Sequence, residues 1–188
     1  MYRKHISRIG FIALTMMVLA PTFWVVTAQT HAETNKLVIL VRHAEKEAVP
    51  VDNPVLSEAG WDRASALATM LERADINHIV TSQLDRTILT ARYVAESRGL
   101  EPEKVQTSGG LLNHINGVVE AIHRRPDGEA ILVVGHSNTI PRIVNTLVDG
   151  DFQDLEDSNY STVYIVTLSV SHDPRVVVST FGAGGVAE

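Results

Sequence analysis

Apolar runs that end on chemistry-bearing residues set the pattern of this chain. Residues 37–41 (LVILV) run without alternation, are rich in β-branched side chains and lead straight into Arg42 and His43. Such a run predicts a strand covered on both faces, as inside a parallel sheet. Residues 130–134 (AILVV) repeat the construction and lead into Gly135 and His136, while 78–82 (HIVTS) form a shorter version with Arg86 following. In open α/β sheets the carboxyl ends of the strands border the crevice where ligands bind. Two histidines and two arginines are therefore expected to meet at one sheet edge, an arrangement suited to an anion.

Helical spacing fills the gaps between these runs. Ser57 reads as the N-cap of a helix through about Arg73, with Ala64, Leu67, Ala68 and Leu71 on its buried side. Arg86 falls in the first turn of a second helix, where a helix N-terminus already favours anions. Residues 104–106 read as a short strand, 116–123 as an apolar helix and 139–148 as a helix carrying Pro141 in its first turn, where the missing N–H does no harm. Residues 163–169 and 176–181 read as strands joined through Ser171, His172, Asp173 and Pro174, adding an antiparallel element. The whole predicts a three-layer α/β/α domain around a mostly parallel mixed sheet. Residues 47–54 read as a loop rimming the site. The acidic stretch 151–159 does not match a calcium loop and reads as solvated. Trp61 is assigned to packing, and His78, His123 and His172 have no partner motif.

Composition narrows the chemistry. The chain has no cysteine, which removes disulfides, thiolate metal sites and a cysteine nucleophile. Arg3, Lys4 and Arg8 precede an apolar segment over 9–20, and no acidic residue occurs before Glu33. This layout is that of a secretory signal over residues 1–32, with Ala28 or Ala32 before the cut, or of an uncleaved membrane anchor. Residues 33–188 are then one domain, expected to be exported to the periplasm or beyond. Three of the 16 Lys and Arg but none of the 22 Asp and Glu precede Glu33, leaving 13 basic against 22 acidic residues, a net charge of −9. That balance disfavours nucleic acid and anionic membranes as partners and makes the arginine cluster a local positive site. The chain has no internal repeat and no glycine-rich nucleotide cradle.

The segments RHAEK, LSEAG, TSQLDRTILTA and VVGHSNT, spread over most of residues 33–188, resemble the histidine phosphatase superfamily, also called phosphoglycerate mutase-like. The resemblance implies the three-layer fold already read from the pattern. It assigns His43 as the nucleophile, Arg42, Arg86 and His136 as the groups holding the phosphoryl, and phospho-His43 as the intermediate. The chain is similar to the small bacterial phosphohistidine phosphatases, and the resemblance implies no cofactor and no metal. The residue types suit this chemistry: arginine forks bind phosphate oxygens bidentately, and a neutral imidazole attacks phosphorus through one nitrogen while the other is held as N–H.

The proton donor to the leaving oxygen is where the chain departs from the family. One branch carries a glutamate in a pattern LxE shortly before glycine, whereas residues 112–117 read LNHING and put His114 near that place. The other branch has an acid directly after the second histidine, where this chain has Ser137 and Asn138. Glu45 is the first candidate, followed by His114, Asp52 and Glu120. A phosphohistidine substrate needs no strong acid, so phosphorylated small molecules and phosphoproteins both stay open as substrates. The alternative of another class is a non-catalytic phosphate- or phosphoprotein-binding module. A metal-dependent hydrolase with His43 and His136 as ligands lacks carboxylates at ligand spacing.

Overall fold

The computed structural model describes residues 35–182; the leader assigned to 1–32 and the end of the glycine-rich tail lie outside that range. In chain order the elements are β1 (Lys36–Arg42), α1 (Glu58–Met70), β2 (Ile76–Ser82), α2 (Asp85–Arg98), β3 (Glu103–Val105), α3 (Leu111–His123), β4 (Ala130–Gly135), α4 (Ile140–Val148), β5 (Thr162–Leu168) and β6 (Arg175–Thr180). The sheet runs β3-β2-β4-β1-β5-β6. Its first four strands are parallel, and β5 and β6 add an antiparallel edge.

The absence of alternation in LVILV has a direct cause. Val38 and Leu40 pack with α3 and α4 on one face, and Ile39 and Val41 pack with α1 and α2 on the other. Val38, Leu40 and Val41 are fully buried. The expected three layers and the mixed sheet are the ones observed.

Boundaries shift where the apolar signal is weak. Helix α1 ends at Met70, with Leu71 as its C-cap, rather than continuing to Arg73. Strand β2 begins at Ile76 through an irregularity between Ile76 and His78. The largest change is α3, which begins at Leu111 rather than residue 116 and so carries His114 on its first turn. Leu111 and Leu112 are exposed and follow two glycines, which hid that turn from a periodicity reading. Trp61 packs as read, edge to face with Tyr93 at 5.9 Å between centroids.

The LSEAG segment locks α1 to the end of β1. Ser57 accepts from Gly60 N–H at 3.3 Å and donates its own backbone N–H to the Glu45 carbonyl at 3.0 Å. A Cβ on Gly60 would lie 2.0 Å from that carbonyl oxygen. Gly60→Ala is therefore expected to cost about 1–3 kcal/mol by overpacking, read as a lowered urea midpoint with an unchanged slope. An unchanged midpoint would show that α1 can pivot away.

Candidate active site

Register builds the site. Arg42 pairs with Gly135 across β1 and β4, and His43 N–H donates to the Gly135 carbonyl at 2.9 Å. The residues following this pair, His43 and His136, come side by side with ring centroids 5.5 Å apart. Gly135 is required there, because a Cβ would meet Thr139 Oγ1 and Ile140 Cδ1, each at 2.8 Å.

His43 is 4% exposed. Its Nδ1 lies 2.8 Å from the Ala44 carbonyl, an acceptor only, so Nδ1 carries the hydrogen and Nε2 keeps a lone pair. Burial pushes its pKa down to about 4, opposed by the Ala44 hydrogen bond and reinforced by Arg42, Arg86 and Lys46. The ring is thus neutral over the physiological range. Thr90, on α2, accepts from Ala44 N–H at 2.9 Å and donates to the Arg86 carbonyl at 2.7 Å, tying the backbone beside His43 to the helix that carries Arg86.

Arg42 is held from a direction the sequence did not announce. Its Nη1 donates to the carbonyls of Glu156, Asp157 and Asn159 at 2.9, 2.9 and 3.0 Å, and its guanidinium carbon sits 4.0 Å from the Tyr160 ring centroid. The acidic stretch read as merely solvated is therefore a support for the site, acting through backbone carbonyls while its acidic side chains are exposed. Leu155 N–H to Ser137 O at 3.0 Å and Arg142 to Asp154 at 2.8 Å fix it in place. Tyr160 also lies 6.1 Å from His43, ring to ring. No motif marked it.

The Nε–H groups of Arg42 and Arg86 are buried without a hydrogen-bond partner in the protein. Such orphaned donors are rare in folded proteins and here point to a ligand rich in acceptors. Burial lowers both arginine pKa values, but guanidinium stays charged. A cavity of about 310 Å³ opens beside Arg86 and His136, lined also by Thr107, His114, Asn138 and Thr139. His136 is pushed down to about 3 by burial and by His43, Arg86, His114 and Arg42. Its Nε2 lies 3.2 Å from Ser82 Oγ.

The four acid candidates separate. Glu45 faces Arg63, whose Nε and Nη2 both donate to its carboxylate at 2.7–3.0 Å. Burial alone would raise its pKa, but the Arg63 hydrogen bonds and the charges of Arg63 and Arg42 bring it below the ordinary value. Glu45 is thus held as a carboxylate with no proton to give, which corrects its first place among the donors. Asp52 is on the exposed loop, and Glu120 is exposed near Arg124 at the far end of α3. His114 is 2% exposed, lines the cavity and lies 6.3 Å from the His136 ring. Among the described residues no group of His, Cys, Asp or Glu is arranged to hold a metal ion.

Known proteins resemble this chain in sequence and in fold. The family model of the histidine phosphatase superfamily, branch 1, matches residues 38–111, the stretch that carries Arg42, His43 and Arg86. Phosphoserine phosphatase 1 of Hydrogenobacter thermophilus is 27% identical, with 68% of this chain and 85% of the relative covered. Among solved structures, the protein histidine phosphatase SixA complexed with tungstate has a TM-score of 0.60 at 18% identity, covering 77% of this chain and 96% of that one. Phosphoglycerate mutase from Plasmodium falciparum gives 0.56 at 20% identity, covering 82% and 99%. Over residues 38–111 the chain resembles the histidine phosphatase superfamily, and it shares the fold of these solved structures.

Proposed function

We propose that this protein hydrolyses phosphomonoesters through a phosphoryl group carried on His43 Nε2, without a metal. The observation that carries this reading is a neutral imidazole with a free Nε2 lone pair, set among two guanidinium groups whose buried Nε–H donors have no partner in the protein. A bound phosphoryl group would take its oxygens' hydrogen bonds from Arg42, Arg86 and His136. The Nε2 lone pair then forms a bond to phosphorus as the ester P–O bond breaks in line, and the arginines neutralise charge on the equatorial oxygens. The leaving oxygen takes a proton from His114. In the second step water attacks phospho-His43, gives a proton back to His114 and releases inorganic phosphate.

His114 suits the donor role by position and by tautomer. Its Nδ1 lies 3.3 Å from the Gln106 carbonyl, so that nitrogen holds an N–H and Nε2 is the atom that gains and loses the catalytic proton. Burial lowers its pKa below 6.5 in the free enzyme; an arriving dianion favours its charged form. The cavity beside it is lined by Thr107, His114, Asn138 and Thr139 and by no carboxylate. It fits a small polar alcohol, uncharged or anionic, better than one bearing an ammonium group.

The test is hydrolysis of an aryl phosphate in the presence of chelator, followed against pH. His43 must be neutral to attack, and its pKa in the free enzyme is depressed, so kcat/KM should persist as pH falls and be lost only through about 4. An unshifted histidine would already fail near about 6.5. Turnover abolished by chelator would remove the metal-free mechanism. Phosphate binding without turnover would favour the binding module.

A further inference from the structure

We infer that Ser82 and Thr87 form a hydroxyl relay that fixes the tautomer of His136, holding its Nε2 as N–H and leaving Nδ1 as the atom that meets the ligand. Both are positioning residues, and the role assigned to His136 in phosphate binding rests on the reading above.

Thr87 Oγ1 lies 2.8 Å from the Leu84 carbonyl and 3.2 Å from the Ser82 carbonyl, both acceptors only, so the single hydroxyl hydrogen of Thr87 points to a carbonyl. Ser82 Oγ lies 2.8 Å from Thr87 Oγ1 and must therefore be the donor in that contact. Its only hydrogen is then committed. Leu84 N–H donates to Ser82 Oγ at 3.3 Å, and the remaining neighbour, His136 Nε2 at 3.2 Å, must donate as well. Ser82 is 1% exposed and Thr87 is fully buried, so water does not compete for these hydrogens.

A consequence follows for binding. Neutral His136 then presents a lone pair at Nδ1, which repels a phosphate oxygen. To hold phosphate it must take up a proton there. The charged and titratable groups facing its ring are Arg42 and His43 at the end of β1, Arg86 on α2 and His114 on α3, all basic. Burial first, and these groups with it, keep His136 neutral in the free enzyme, and an arriving dianion reverses the balance. The second histidine thus becomes a cation when substrate is present and is not one before.

The decisive experiment is long-range proton–nitrogen NMR of the histidine rings in the full chain near about pH 7, with His136 assigned by a His136→Gln variant. The native protein should show His136 as the neutral Nε2–H form. Thr87→Val keeps the shape but removes the acceptor, freeing the Ser82 hydrogen to point at Nε2, so the ring should switch to Nδ1–H. Inhibition by inorganic phosphate should then depend less on pH. Ser82→Ala should leave a mixture of tautomers and weaken phosphate inhibition about tenfold, roughly the size of one lost hydrogen bond. A native His136 found as Nδ1–H overturns the relay without any variant. So does a folded Thr87→Val protein with an unchanged tautomer. Because the ring spectrum is read without turnover, a failure of the phosphohistidine mechanism would leave this measurement intact and be recognised separately.

Discussion

His43→Ala is expected to lower kcat for an aryl phosphate by at least about 10⁴-fold, the scale seen when a covalent nucleophile is removed. The size follows from what remains. Arg42 keeps its three carbonyl partners, and Arg86 keeps its place on α2, since neither depends on the imidazole. Inorganic phosphate should therefore still bind and still raise the melting temperature, separating loss of the nucleophile from loss of the site. An aryl oxide leaves without a strong acid, so the result reports on attack alone. Rapid acid-free quenching of the native enzyme should also trap a phosphoryl group that the variant lacks. Native-level turnover in a folded His43→Ala protein would end the phosphohistidine reading.

The second large effect concerns the leaving group. His114→Gln should reduce kcat/KM for an alkyl phosphate by about 10²–10⁴-fold, the usual contribution of a general acid, while changing aryl phosphate turnover by less than about tenfold. The distinction is chemical. An alkoxide is a strong base and needs its proton as the P–O bond breaks, whereas an aryl oxide does not. Glutamine retains bulk and polarity against the Gln106 carbonyl, so the first turn of α3 should stay in place. Equal losses on both substrates would make His114 a structural support. No loss on either would place the donor elsewhere, and Glu45 would remain a poor choice because Arg63 holds its carboxylate charged.

The parts of the site that were legible in the sequence are those announced by periodicity or by residue type. Strands buried on both faces cannot alternate, so LVILV and AILVV stand out, and the residues that end them are at a sheet edge by necessity. Arg86 was legible through its distance from the end of β2. The supports were not. A backbone carbonyl has the same chemistry whatever side chain follows it, so the segment that clamps Arg42 through Glu156, Asp157 and Asn159 looked like solvated acid. Glu45 shows the converse error. Two residues beyond His43 it looked available, yet Arg63, 18 positions away, turns out to hold it.

The sequence by itself determined which strands would be buried, that their carboxyl ends would present two histidines and two arginines, and that the protein would gather positive charge within an acidic surface. These follow from local patterns: strand periodicity, the fixed charge of arginine and the types of residue that end each run. The tertiary structure alone decided which carbonyls hold Arg42, which carboxylate is committed to Arg63 and which groups surround each imidazole. Those depend on the β1–β4 register, which sets Arg42 opposite Gly135, and on β2, α2 and α3 bringing Ser82, Thr87 and His114 to the same edge. Protonation and tautomer are properties of a residue's neighbours, and the neighbours are chosen by the fold.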